Sequence, residues 1–313
     1  MKILIGYDGS STAEAALDDL KLAGMPSKAE AIVMSVAEFW LPPETIEEGG
    51  VDVKPDPYLE QFVDAHRQKA RKAVSEAELL ARKAGERLRK MFPNWKVESE
   101  ATYGSPAWEI IAKANEIKAD LIVVGSHGRT AVGRLFLGSI SQKVLTEADC
   151  SVRVARGRIE IDPAPSRIVI GFDSSPGAQV AVETVASRNW GEGSEVCLVA
   201  VTDPVMPSPM GFLALPIENR VAEANQGEHE LLEKIAAEAL QKLRDAGLSA
   251  NLHFESGNPK QVLVEEAMRW HANSIFVGAN LYGSRLERFL LGSVSAAVAA
   301  RAHCSVEVVR KKQ

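Results

Sequence analysis

The 313-residue chain carries one series of short motifs twice, in the same order, and this repetition constrains its fold more than any single motif does. Met1-Lys-Ile-Leu-Ile-Gly-Tyr-Asp-Gly-Ser10 returns as Ser166-Arg-Ile-Val-Ile-Gly-Phe-Asp-Ser-Ser175. Tyr103-Gly-Ser-Pro106 returns as Ser256-Gly-Asn-Pro259, and Leu121-Ile-Val-Val-Gly125 as Ser274-Ile-Phe-Val-Gly278. Phe136-Leu-Gly-Ser139 returns as Leu290-Leu-Gly-Ser293, and Cys150-Ser-Val-Arg-Val154 as Cys304-Ser-Val-Glu-Val308. The step from Gly104 to Gly125 is 21 residues, as is that from Gly257 to Gly278; Gly138 to Cys150 and Gly292 to Cys304 both span 12. The chain is a tandem duplication, with domains expected at 1–157 and 166–313. Between them, Gly157 to Ser166 breaks the pattern with two prolines and acidic residues.

Within the first half, strands are expected at Ile3 to Tyr7, Ala31 to Val36, Trp95 to Thr102, Leu121 to Val124 and Ser151 to Ala155. Helices are expected at Ser11 to Leu22 (capped by Ser10 or Ser11), Tyr58 to Met91, Pro106 to Glu116 and after Gly138. Apolar residues recur at steps of 3 and 4 through the long helix, and His66 falls on that face. Leu41 to Pro57, with prolines and paired glycines, reads as a loop. The second half repeats the series, with a less polar loop at Asp203 to Pro216 and a long helix from Ile217 to Asp245. Alternating strands and helices predict an α/β fold, a parallel sheet covered on both faces in each half. Such a sheet takes its ligand beyond the carboxyl ends of its strands, where the strand order reverses. Asp8 and Asp173 end the first strand of each half, and Gly125 and Gly278 end the fourth.

Asp120 to Ser141 joins a buried strand, a glycine loop with two arginines, and a helix N-terminus at Gly138-Ser139. Backbone N–H groups, the helix dipole and the missing Cβ atoms together favour a bound anion, so the stretch predicts a phosphate or nucleotide site.

Other chemistries lack support. A net charge of −6 gives no basic face for nucleic acid. No apolar run approaches the roughly 20 residues that span a bilayer. The apolar run after Met1 is too short for a signal sequence, and three cysteines without CxxC spacing fit a reducing cytoplasm. Neither G-x-x-x-x-G-K-[ST] nor G-x-G-x-x-G occurs. His127 beside Ser126 has no evident third catalytic partner, and the remaining histidines show no metal spacing. The basic residues Arg67 to Lys90 of the long helix, including Arg87 and Arg89, read as a solvated face. Asp8 carries a bland alternative, capping the first helix. Cys150 and Cys304 read as small buried residues, and the last strand of each half as a sheet edge.

On these residues the chain resembles the universal stress proteins in their tandem two-domain form. The specific element is the pattern G-2x-G-9x-G-[ST] of the ATP-binding members, which here reads Gly125, Gly128, Gly138 and Ser139. The resemblance implies a five-stranded parallel sheet of order 3-2-1-4-5 in each half. It also implies ATP in the first half, with Asp8 at the adenine edge and Val36 touching the base through its backbone. Gly125, Gly128 and Arg129 would line the ribose-phosphate path, and Gly138, Ser139 and Ser141 would hold phosphates, with Mg²⁺ (or Mn²⁺) as counter-charge. Family members commonly dimerise through the last strand, so the two halves are expected to pair there as an internal pseudo-dimer, a further homodimer remaining open. In the second half Leu281 replaces the middle glycine, and Gly278 to Gly292 spans 14 residues instead of 13, so nucleotide is expected in the first half only. The implied role is stress response through nucleotide-dependent sensing or partner binding, without dedicated catalysis. The alternatives are a nucleotide-free interaction module, and a slow ATPase or nucleotidyl transferase.

Overall fold

A computed structural model describes residues 1–39, 57–127, 137–156, 165–173, 175–202, 215–279 and 291–311, with side chains in the two long helices described from 65 and from 230 onward. In the first half β1 (Lys2–Gly6) leads to α1 (Ser11–Asp19), a 3₁₀ turn at Leu20–Leu22, β2 (Glu30–Ala37), α2 (Pro57–Met91), β3 (Lys96–Tyr103) and α3 (Pro106–Ile117). β4 (Leu121–Gly125), α4 (Ser139–Glu147) and β5 (Ser151–Ala155) complete it. The second half runs β6 (Arg167–Phe172), α5 (Pro176–Ala186), β7 (Glu195–Thr202), α6 (Leu215–Asp245), β8 (Ser249–Ser256), α7 (Pro259–Arg269), β9 (Ser274–Gly278), α8 (Ser293–Arg301) and β10 (Ser305–Val309).

Local chemistry sets the boundaries. Ser10 and Ser175 cap α1 and α5 by accepting the N–H of Ala13 and Ala178, each at 3.2 Å. Proline opens α3, α5 and α7, where the missing N–H costs nothing. Lys118 adopts the left-handed conformation that ends α3.

The strands form one ten-stranded sheet, ordered β3-β2-β1-β4-β5-β10-β9-β6-β7-β8. Each half is parallel and has the order 3-2-1-4-5. The halves join where β5 and β10 pair antiparallel, with Val152 opposite Val308, Arg153 opposite Glu307, and Val154 opposite Val306. The last strands therefore lie mid-sheet and are buried throughout, so they are edges only of the separate halves. Their antiparallel pairing also puts the carboxyl ends of the two halves' strands at opposite rims of the sheet.

On one face a single apolar core crosses the join, running from Leu4, Ile122 and Val154 to Val306, Ile275 and Val169. On the other face the core is split in two, around Leu17 and Leu20 in one half and Val182 and Phe276 in the other. Between them lies a buried row of charge. Arg153 is held by both carboxylate oxygens of Asp19, at 2.6 and 3.1 Å, and meets Glu307 at 3.4 Å; Glu307 in turn accepts from Arg188.

One surface expectation needs correcting. Arg87 is half-buried and does more than face solvent: it grips Asp18 through two 2.7 Å hydrogen bonds and also binds Glu14. Arg89 donates to the Val97 carbonyl on the outer strand at 2.8 Å. Long stems let both guanidiniums leave the helix surface and satisfy acceptors at its rim. His66, half-buried, lies against Phe39 with ring centroids 4.9 Å apart.

Candidate functional site

The strand order reverses between β1 and β4, which pair in parallel through Ile3–Leu121, Leu4–Ile122 and Ile5–Val123. β1 passes on to β2 at one side and β4 to β5 at the other, so their carboxyl ends frame a crevice.

Asp8 lies two residues beyond β1. Its Oδ1 accepts the Ser10 N–H at 2.9 Å, which fixes the turn into α1, while the cap itself is Ser10. The second half repeats the turn with Asp173 and Ser175 at 3.0 Å. Val36 is the penultimate residue of β2, half-buried and paired with Thr102. Beside it the Ser35 hydroxyl donates to the Tyr7 carbonyl at 2.6 Å and so ties β2 to the end of β1.

Gly125 ends β4, where a Cβ would stand 2.9 Å from the backbone carbon and oxygen of Thr12. Glycine is required here because the start of α1 presses against the end of β4. Thr12 strengthens this contact by donating its hydroxyl to the His127 carbonyl. The Gly138 N–H donates to the Ser126 carbonyl at 2.8 Å, so the intervening loop leaves and returns at one point. Ser139 then begins α4. Its cap, Gly138, makes no side-chain hydrogen bond to the first turn, and a helix N-terminus of this kind suits an anion. Ser141 is buried and donates its hydroxyl to the Gly125 carbonyl at 2.6 Å, lashing α4 to β4. Gly128 and Arg129 lie outside the described residues, as do Leu281, Gly283, Arg285 and Arg288 of the counterpart loop.

His127 pairs through Nδ1 with the Ser126 hydroxyl at 2.9 Å. Burial, and the positive charge of Arg156, hold its pKa below the ordinary histidine value, which favours the neutral ring at pH 7. Among the described residues no carboxylate completes a catalytic set with this pair. Nor do the described residues contain a group of three metal-ligating side chains.

Two features of the site went unpredicted. One is the Thr12 bridge, which the repeat conceals because Gly177 stands at its place in the second half. The other is the wall below β1. There the Tyr7 hydroxyl donates to Glu14, Glu14 binds Arg87, and burial together with the Glu14 bond pushes the Tyr7 pKa up. The second-half crevice keeps the scaffold without these hydroxyls. A Cβ on Gly278 would stand 2.2 Å from the Gly177 backbone, Ser295 donates to the Gly278 carbonyl at 2.9 Å, and Ala279 replaces Ser126.

A cavity of 1090 Å³ opens elsewhere, between the halves at the amino ends of the first-half strands, lined by Asp120, Cys150 and Arg310 among others. None of the predicted site residues lines it.

The sequence profile of the universal stress protein family matches residues 1–156 and again 165–310. A universal stress protein of Mycobacterium tuberculosis is 27% identical over 315 aligned residues, covering 99% of this chain and 97% of that protein. A Thermus aquaticus universal stress protein is 34% identical over 154 residues, covering 49% of this chain and 97% of its own length. Among solved structures, a universal stress protein from Archaeoglobus fulgidus superposes with a TM-score of 0.57 at 23% identity, covering 100% of this chain and 97% of that one. The chain belongs to the universal stress protein family, and each of its halves is one unit of it.

Proposed function

Taking this chain as a tandem universal stress protein, we propose that its first half binds ATP in the crevice between β1 and β4. On this reading the protein acts in the cytoplasm, in stress response, through nucleotide-dependent sensing or partner binding. One observation carries the proposal: an unbroken G-2x-G-9x-G-S series leads into the uncapped start of α4, whereas α8, which opens on Gly292 in the same way, lacks the middle glycine. Backbone N–H groups and the positive end of the helix dipole favour phosphate there. Asp8 supplies an acceptor on the far side of the crevice, where an adenine edge would need one, and Val36 offers backbone to the base. Gly128 and Arg129 complete the phosphate side, and Mg²⁺ supplies the remaining counter-charge. The second half, with Leu281 at the middle glycine, is proposed to stay empty.

The nucleotide-free alternative draws on a specific observation as well. Gly125 and Ser141 each have a complete structural task, in contact with Thr12 and in the bond to the Gly125 carbonyl. Beside the loop His127 pairs with the Ser126 hydroxyl, but among the described residues no carboxylate completes a catalytic set with them, which leaves the hydrolase alternative the weakest of the three.

Denaturing the purified protein and analysing the released small molecules by mass and absorbance separates these readings. Adenine nucleotide is expected at about one per chain, lost in Gly128→Leu, with ATP raising the melting temperature of emptied protein in the manner of a native-state ligand. An empty protein that ATP fails to stabilise would sink the proposal.

A further inference from the structure

The join between the halves is built from the same contacts twice. Cys150 to Arg156 corresponds to Cys304 to Arg310. The Arg156 N–H donates to the Ser305 hydroxyl oxygen at 2.9 Å, and the Arg310 N–H to that of Ser151 at 3.0 Å. The Arg156 guanidinium donates to the Ala299 carbonyl at 2.9 Å, and the Arg310 guanidinium to the equivalent Leu145 carbonyl at 2.6 Å. Valines face valines on either side of the centre. All of these contacts could form equally well if two first halves, or two second halves, from different chains paired with each other.

The centre breaks this equivalence. The pseudo-twofold axis passes between Arg153 and Glu307, which correspond to each other in the repeat and stand opposite in the sheet, both 0% exposed. In like-with-like pairing each would face its own copy. The row as it stands reads Asp19, Arg153, Glu307, Arg188, with signs alternating. Two first halves would give acid, base, base, acid, and two second halves base, acid, acid, base. Each such row is neutral in sum but sets like charges together at its buried centre, where repulsion is strong. Arg153 also donates to Ser274 at 2.8 Å, and the first half has Leu121 at that position.

A second, uncharged device lies alongside. Gly24, with φ +62°, lies under the Trp190 ring, where a Cβ would come within 2.7 Å of ring carbons. Asn189 donates its N–H to the Gly24 carbonyl at 3.0 Å. In the repeat Gly24 corresponds to Asn189, and Met25 to Trp190. A second half facing another second half would thus drive Trp190 onto a residue that has a side chain.

We propose that the Arg153–Glu307 centre and the Gly24–Trp190 contact form a selectivity lock. It makes each half the partner of the other half in its own chain and excludes the like-with-like assemblies that the shared fold would otherwise permit. This is specificity by disfavouring the wrong partner, achieved at the one position that symmetry makes diagnostic.

Disulfide trapping in the full chain tests the lock. Val152 faces Val308 in the native join, but it would face Val154 of another chain if first halves paired. Full-length Val152→Cys/Val154→Cys protein is unfolded, refolded under oxidising conditions and run on a non-reducing gel. With the lock intact, two-chain species bridged at 152 and 154 are expected at background. Adding Arg153→Gln and Glu307→Gln, uncharged amides that pair with their own copies, is expected to raise those species at least about tenfold. Trp190→Ala, which leaves the charges in place, is expected to raise them as well and serves should the amide variant fail to fold. An unchanged two-chain fraction in whichever variants fold overturns the lock, as does extensive bridging with the lock intact.

Discussion

Arg156 and Arg310 each follow the last strand of one half and reach across the join to the end of the last helix of the other. Arg156 donates to the carbonyls of Ala299 and Ala300, both at 2.9 Å, and Arg310 to those of Leu145 and Cys150, at 2.6 and 3.3 Å. Helix ends leave carbonyls unsatisfied and carry partial negative charge, so a guanidinium there meets two needs at once. Each half therefore finishes the other's final helix.

From that exchange, Arg310→Ala is expected to lower stability by about 1–3 kcal/mol, because two carbonyls lose a charged donor inside the join. Arg156→Ala should cost a similar amount, since it too bonds two carbonyls and its Ala299 bond is the equivalent of the Arg310 bond to Leu145. Urea unfolding of the two variants beside the parent checks this. An effect confined to one of them would contradict the symmetry of the join.

Arg153→Met removes one member of the buried row and leaves Asp19 and Glu307 facing each other without it. The expected loss is about 3–5 kcal/mol, the cost of an uncompensated buried charge. Glu307 keeps its bond to Arg188, so the loss falls chiefly on Asp19. Thermal unfolding of the variant beside the parent checks this, and an unchanged melting temperature would contradict it.

Burial pushes the Cys150 and Cys197 thiols from 9.0 up to about 11. Below 9 the folded and unfolded chains both hold these protons, and the thiols leave stability unchanged. Between about 9 and 11 the unfolded chain releases them while the folded chain does not, so stability falls as pH rises through that window. The expected size is about 1–2 kcal/mol per thiol. Alanine at either position should flatten the slope, and a thiol reagent at pH 8 should label the buried Cys197 only as fast as the protein unfolds, and Cys150, half-buried on the cavity wall, sooner.

Gly125→Ala places a methyl 2.9 Å from the Thr12 backbone, and Gly278→Ala places one 2.2 Å from that of Gly177. Neither neighbour is a side-chain tip that can turn aside, so both variants should lose about 1–3 kcal/mol, the second more than the first. Calorimetry of both against the parent tests that order; a milder effect at Gly278 would mean that the second crevice is looser than its contacts require.

The α/β class, the strand order that the family resemblance implied and the pairing of the two halves could all be read from the sequence. Alternating apolar strands and capped helices admit few folds, and a repeat reveals which residues correspond. The roles of single site residues could not be read in the same way. The resemblance implied ligand roles for Gly125 and Ser141, and spacing alone does not show that Gly125 also clears Thr12 or that Ser141 also bonds the Gly125 carbonyl. The ion pairs of Arg87 were hidden because a helical wheel ends at the helix surface, while its guanidinium reaches Asp18 on another helix.

By itself the sequence determined that there are two copies of one unit and where their chemistry differs, since periodicity and correspondence are properties of the chain. Only the tertiary structure decided that Arg153 and Glu307 stand on one axis, since that depends on the register of strands 154 residues apart in the chain. Register is set by packing across the sheet, and no local pattern encodes it.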